Sequence, residues 1–148
     1  MKDSVFFTIL AGVTVFVSGQ FILKLILEPL VAFRRELGKL SAHLLKELNV
    51  VVHGDASHEV TDELRKLTSS VLSASYAVPL YPFFAFILCL PSKNNLLKGA
   101  RSLNVIIADL YSQQSAQKET TTKRFQRLKD LEKNLKIKVT YGFDQSTL

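Results

Sequence analysis

The chain has 148 residues, of which 47% are hydrophobic, and its net charge is +6; this length allows one domain of ordinary size. The single cysteine, Cys89, excludes an intramolecular disulfide bond. One cysteine and three scattered histidines disfavour a metal site of the usual spacing, so we predict no metal and no cofactor. The charge is uneven, because residues 92–148 hold 11 Lys/Arg and 5 Asp/Glu.

Residues 5–23, VFFTILAGVTVFVSGQFIL, carry no charge. As a helix they span roughly 29 Å, close to the thickness of a bilayer's hydrocarbon core. A signal peptide fits less well, because the basic n-region and the A-x-A cleavage pattern are missing. We predict a retained transmembrane helix over residues 1–29. Five basic residues follow the span and one precedes it, which favours an outside N-terminus and a cytoplasmic remainder at the inner (plasma) membrane.

Two faces of this helix stand out when residues are placed 100° apart. Small side chains fall on one arc of about 120°, and they are Thr8, Ala11, Gly12, Val15, Ser18 and Gly19. Small residues let helices approach closely in lipid, so this arc predicts an oligomer packing face. The alternative is that a mostly apolar sequence places small residues on one arc by chance. Gln20, Lys24 and Glu28 fall on a different arc. This polar stripe either lines a shared lumen or snorkels to the headgroups.

The helical period continues past Pro29, with apolar residues from Leu30 to Leu48 at spacings of three or four. We predict one long helix with a kink at Pro29, and we place Arg34 and Arg35 at the membrane interface. The sequence HGDAS, residues 53–57, predicts a turn with Asp55 or Ser57 as the next helix cap. A second helix follows, with Val60, Leu64, Leu67, Val71 and Leu72 on its apolar face.

Residues 67–92 contain no charge, and Pro79, Pro82 and Pro91 interrupt them. Three interpretations fit: a second transmembrane helix, ordinary buried core, or a re-entrant or interfacial segment. Two internal prolines argue against a straight span, and crossing would place the basic C-terminal third outside. We therefore reject full crossing. Aromatic rings suit the headgroup boundary, and the predicted interfacial rings are Tyr76, Tyr81, Phe83, Phe84 and Phe86.

Two further helices complete the predicted fold. One opens at SKNN, residues 92–95, with Leu96, Ala100, Leu103, Ile107 and Leu110 on its apolar face, and a polar linker follows over residues 112–122. The last runs from about Thr121 to Asn134 with Phe125, Leu128, Leu131 and Leu135 inward. We predict an all-α chain: a transmembrane helix, a small antiparallel helical bundle over residues 30–135 that includes apolar segment 71–91, and a tail, 136–148, that adds a short strand or stays loose.

The last helix is rich in cations, with Lys123, Arg124, Arg127, Lys129 and Lys133 in its sequence and Lys136 and Lys138 just beyond. This pattern is typical of a solvated helix face. Its functional interpretation is an anionic partner at the inner leaflet. With only Phe125 interleaved, the helix offers no stacking platform for bases, so nucleic acid is disfavoured.

No catalytic residue is assigned, because the sequence has no Gly-rich phosphate loop, no H-E-x-x-H and no G-x-S-x-G. A membrane helix followed by a cytoplasmic four-helix bundle resembles the HEPN-like membrane-pore accessory proteins of type VI CRISPR systems. That resemblance implies a ring assembly in an antiviral defence context. HEPN ribonucleases place four to six residues between an Arg and a His; here Arg35 and His43, in RELGKLSAH, have seven. No catalytic role is carried over. The sequence ILEPL…RRELGKL, where the chain passes from the span into the bundle, is also similar to that of small single-pass bacterial membrane proteins.

These features favour a homo-oligomeric membrane protein, a pore or membrane-perturbing effector, whose partners are the lipid bilayer and other copies of itself. The alternative is a membrane-anchored adaptor whose bundle binds a protein partner. A HEPN-type ribonuclease is a third hypothesis, which the spacing of Arg35 and His43 does not meet.

Overall fold

The computed structural model describes residues 2–54, 56–111 and 121–141, and every regular element in these ranges is helical. The helices are α1 (Lys2–Ile22), α2 (Glu28–Lys46), α3 (Leu48–His53), α4 (His58–Ala77), α5 (Tyr81–Ile87), α6 (Lys93–Tyr111) and α7 (Thr121–Leu135), and a π turn, Leu23–Leu27, joins α1 to α2. The predicted all-α fold, a long apolar N-terminal helix followed by a helical bundle, is confirmed.

The first helix passes into the bundle without a linker, because α1, the π turn and α2 follow one another without a break and end at Lys46. Pro29 lacks an N–H, so an uninterrupted α-helix would leave the carbonyl of Leu25 without its partner. The sequence predicts a kink at Pro29; the structure has a π turn that ends two residues before Pro29, at Leu27. Beyond Lys46 the chain turns at Glu47 and continues as α3.

α2, α4, α6 and α7 form an antiparallel bundle in which α4 packs against both α2 and α6, and α6 packs against α7. Each presents one apolar stripe to the core, as its spacing predicts. On α2 the stripe is Phe33, Leu37, Leu40 and Leu44; on α6 it includes every apolar residue predicted there. The α6–α7 contact is close, because Gly99 faces the side chain of Leu135.

Local signals fix the helix starts. The Ser57 hydroxyl accepts a hydrogen bond from the Val60 N–H (3.4 Å) and caps α4; Asp55, the other predicted cap, lies outside the described residues. The Ser92 hydroxyl accepts from the Asn95 N–H (3.2 Å) at the start of α6. Gly54 ends α3 in the left-handed conformation, φ 82°. These are the ordinary ways in which helix ends satisfy their free N–H and C=O groups.

The segment after α7 differs from the prediction of a short strand or a loose tail. Residues 136–141 are irregular but packed: Val139 is fully buried, and the Ser41 hydroxyl donates to the carbonyl of Lys138. The Thr140 hydroxyl donates to the Glu132 carboxylate (3.0 Å). The beginning of the predicted tail therefore belongs to the bundle core. Residues 142–148 lie outside the described residues.

Candidate functional site at the apolar helix and the adjoining end of the bundle

The continuous helix that begins with α1 is the one unbroken helix among the described residues that is long and apolar enough to cross a membrane. None of the side chains in its apolar window is buried, so a surface of Phe, Val, Ile and Leu side chains is left uncovered. α4 and α5 would form a second span only as a pair bent by 103°. α4 is committed to the bundle, since Leu64, Leu67 and Val71 are buried in its core.

The predicted small-residue face lies along α1, and all six of its members are exposed. A Cβ atom built on Gly12 or on Gly19 meets no atom within 4 Å. The face is therefore open to another helix, and larger side chains at the two glycines meet no obstacle within the chain itself.

The predicted polar stripe coincides with the π turn. Lys24 lies inside the turn, Gln20 precedes it and Glu28 follows it, and no salt bridge joins Lys24 to Glu28 in the structure. A π turn advances by roughly 82° per residue instead of 100°. It thus reduces the angle between Gln20 and Glu28 from about 80° to about 10° around the axis. The π turn therefore places the three polar side chains nearly in one row along the helix axis. Their spacing in the sequence does not show this alignment.

The end of the bundle where α2 enters is built from Arg34, residues 76–93 and Lys136; we call it the anchor end. Tyr81 begins α5, and its hydroxyl donates to the carbonyl of Pro91 (2.6 Å) while its ring meets Phe33 edge-on (centroids 5.6 Å apart). Burial raises the pKa of Tyr81 to about 12. The prediction of Tyr81 as an interfacial ring is wrong in this respect: its side chain is 2% exposed, because it fills the space under α5.

The other predicted interfacial rings divide into two groups. Phe84 is half-buried and packs against the core. Tyr76, Phe83 and Phe86 are exposed, Phe86 by 86%. Leu80 and Ile87 extend the uncovered apolar surface on the same segment. The anchor end therefore carries an aromatic and aliphatic surface beside the helix that leads into α1.

Two cations hold the turn after α5 in place. Arg34 donates from Nη2 to the carbonyl of Leu88 (3.0 Å), and Lys136 donates from Nζ to the carbonyl of Cys89 (3.2 Å). Arg35 is exposed beside them. Both ends of α5 have left-handed residues with a side chain, Leu80 (φ 48°) and Cys89 (φ 52°). Such residues cost roughly 1–2 kcal/mol each and are retained where the surrounding contacts demand them.

A groove of about 550 Å³ opens between α5 and the start of α6. Its apolar wall includes Pro82, Phe86 and Leu90. Its polar rim includes Ser92, Lys93 and Lys136. The ammonium group of Lys93 lies 5.6 Å from the ring centroid of Tyr76 and 5.9 Å from that of Tyr81.

The basic helix α7 differs from the prediction at one position. Arg124 is 2% exposed and points into the bundle, where its Nε donates to Asp109 (2.5 Å) and its Nη1 to the carbonyl of Val52 (3.4 Å). It is not available to an anionic partner. The cause is its spacing, since Arg124, Leu128, Leu131 and Leu135 share one helix face.

The remaining cations of α7 lie outside the core. Lys123, Lys129 and Lys133 are exposed, and Arg127 is half-buried. Phe125, predicted inward, is half-buried with the ammonium of Lys129 over its ring at 5.0 Å. Arg124, and not Phe125, occupies the first inward position of α7.

The histidines do not converge on a site. His43 is half-buried on α2, and His53 and His58 are exposed. In the described ranges no group of three His, Cys, Asp or Glu side chains has the arrangement of a metal site. Comparison of the chain with protein-family models, characterised proteins and solved structures finds no significant match.

Proposed function

We propose that this chain is an inner-membrane protein that self-assembles through α1, with its N-terminus outside and its bundle at the cytoplasmic face, and that the assembly acts as a pore or membrane-perturbing effector. The observation that carries the proposal is that no side chain in the apolar window of α1 is buried, although the bundle beside it has a closed core. So large an apolar surface is covered by lipid or by other helices. An antiviral defence role is added by the architectural resemblance alone.

The polar stripe favours self-assembly over a simple anchor. Gln20 precedes Leu23 by three residues, or about 4.5 Å along the helix, which places its amide inside the hydrocarbon boundary that we infer. A polar group there is costly unless it is hydrogen-bonded. An amide both donates and accepts, so Gln20 of neighbouring copies can pair with one another.

The test of assembly uses the open glycines. Gly12→Leu and Gly19→Leu meet no obstacle within the chain and raise helix propensity, so any loss must be between chains. Thr14→Phe adds the same number of side-chain heavy atoms at an exposed position of α1 that belongs neither to the small-residue face nor to the polar stripe, and it serves as the control. Overpacking a close contact costs about 1–3 kcal/mol, which weakens association by about 5- to 150-fold.

The measurement is the mass of the detergent-solubilised protein by light scattering. We expect an oligomer that dissociates in the two glycine variants and persists in Thr14→Phe. A strict monomer in the unsubstituted chain refutes self-assembly. For the pore, Gln20→Leu should reduce dye release from vesicles by the assembled protein; unchanged release refutes a lumen lined by the stripe.

The adaptor is the second candidate, and the closed core of the bundle favours it. α2, α4, α6 and α7 bury their apolar stripes against one another within a single chain, so the bundle needs no second copy to complete its core. An adaptor keeps its function when α1 is replaced by an unrelated membrane helix. A self-assembling effector loses it.

A further inference from the structure

The groove at the anchor end combines an apolar wall with a cationic rim. Its volume of about 550 Å³ falls within the roughly 300–1,000 Å³ of small-ligand sites. The wall is aromatic and aliphatic, through Phe86, Pro82 and Leu90, while Lys93 and Lys136 stand at the rim. Such a division matches a ligand with an anionic head and an apolar chain.

The two charged side chains that line the groove, those of Lys93 and Lys136, are both cations. Residues 64–108, which include α5 and most of the groove, contain no Asp or Glu. Arg34 lies on the other side of α5, bonded to the carbonyl of Leu88. In contrast to Arg124, whose charge is neutralised by Asp109, Lys93 and Lys136 form no salt bridge within the described residues. The groove is therefore electrostatically matched to an anion.

The anchor end begins close to the headgroup layer. Leu30, the first residue of α2 that packs against the bundle core, is about 10 Å along the helix from Leu23, where the uncharged run of residues 5–23 ends. Headgroups extend about 5–8 Å beyond the hydrocarbon, so the anchor end lies at their outer edge. Exposed Phe83 and Phe86 on α5 are suited to this boundary.

We propose that the groove binds one anionic phospholipid, with its phosphate between the ammonium groups of Lys93 and Lys136 and an acyl chain along Phe86 and Pro82. This inference rests on the membrane anchoring in the proposed function, but not on self-assembly. The bound lipid fixes the anchor end against the bilayer surface and makes the docking of the bundle dependent on lipid composition.

The experiment uses tryptophan fluorescence, because the chain contains no Trp. Phe86→Trp places a single reporter in the groove wall of the full chain. The protein is reconstituted in vesicles in which either phosphatidylglycerol or phosphatidylcholine carries bromine on its acyl chains, and quenching is followed as the brominated lipid is increased. We expect brominated phosphatidylglycerol to quench at a much lower mole fraction.

The second arm removes the rim charges. In the Phe86→Trp background, Lys93→Gln with Lys136→Gln should lower the preference for phosphatidylglycerol by on the order of tenfold or more, since each lysine near an anionic surface contributes about fivefold. Lys46→Gln with Lys66→Gln removes the same charge from exposed positions away from the groove, and this control should keep the preference.

Equal quenching by the two lipids, or a preference that survives loss of Lys93 and Lys136, overturns the proposal. A shift of the emission by inorganic phosphate as large as that by phosphatidylglycerol assigns the groove to a soluble anion and also overturns it. The mass of each variant is measured in parallel. A monomer that keeps the lipid preference contradicts self-assembly alone.

Discussion

Gly54→Ala is expected to destabilise the bundle much more than one methyl group normally does. Gly54 ends α3 with φ 82°, a conformation that costs a residue with a Cβ roughly 1–2 kcal/mol. The added Cβ would also lie 2.2 Å from Nη1 and 2.8 Å from Cζ of Arg124. That guanidinium packs against the glycine and cannot swing into solvent, because the side chain is only 2% exposed.

The magnitude follows from what Arg124 must give up. Moving its guanidinium by an ångström or more weakens the bond from Nε to Asp109 and the longer one from Nη1 to the carbonyl of Val52. A hydrogen bond to a charged group contributes about 1.5–3 kcal/mol. With the backbone strain added, the loss is about 3–5 kcal/mol, which lowers the melting temperature by on the order of 10–20 °C.

The assay is thermal unfolding of the full chain in detergent, followed by circular dichroism. Gly38→Ala is the matched control: it is the same chemical change on the exposed side of α2, where a Cβ meets nothing within 4 Å, and it should stabilise by up to about 1 kcal/mol. A double-mutant cycle with Arg124→Met separates the clash from the strain. Equal melting temperatures for the two alanine variants would refute the reasoning.

Three further predictions concern the core and the anchor end. Gly99→Ala places a Cβ 2.5 Å from Cδ2 of Leu135 and should destabilise by about 1–3 kcal/mol; an unchanged denaturation midpoint would contradict the tight α6–α7 contact. Cys89→Gly relieves a φ of 52° and, after allowing for the freedom of glycine in the unfolded chain, should stabilise by about 0.5 kcal/mol; a lower midpoint would show that no strain is present. Tyr81→Phe loses the bond to the Pro91 carbonyl and about 0.5–1.5 kcal/mol. Its pH dependence changes too: the phenol ionises near 10 when unfolded but holds its proton to about 12 when folded, so its contribution is present below pH 10 and is lost as the pH rises toward 12. Stability curves of Tyr81→Phe and wild type that run parallel above pH 10 would count against this pKa.

The helices were predictable because their apolar residues recur with one period. Leu96, Leu103, Ile107 and Leu110 are buried on α6 as the spacing indicates, and α7 begins at the predicted Thr121. The period of the apolar residues shows which face of each helix points into the core. In an antiparallel helical bundle, the helices and their inward faces define most of the fold.

The errors have a common origin in side chains whose type does not reveal their burial. Arg124 is a cation at a core position, and it is satisfied by Asp109, fifteen residues away, and by a carbonyl of α3. Tyr81 carries a hydroxyl that finds its acceptor only because the chain returns at Pro91. Residues that become hydrogen-bond or ion-pair partners only when the chain folds produce no periodic pattern in the sequence. The groove at the anchor end escaped prediction for the same reason, since Lys136 reaches Cys89 across the bundle.

The unbroken element from Val5 to Lys46 makes the apolar helix and the bundle mechanically one body. The part beyond Leu23 is a rigid arm of about 35 Å, so tilting the membrane helix by about 10° displaces its far end by about 6 Å. A flexible linker would absorb such a tilt. In this chain, a change in bilayer thickness or in the packing of neighbouring helices that tilts α1 also displaces the far end of α2. α3 and the turn at Gly54 move with it.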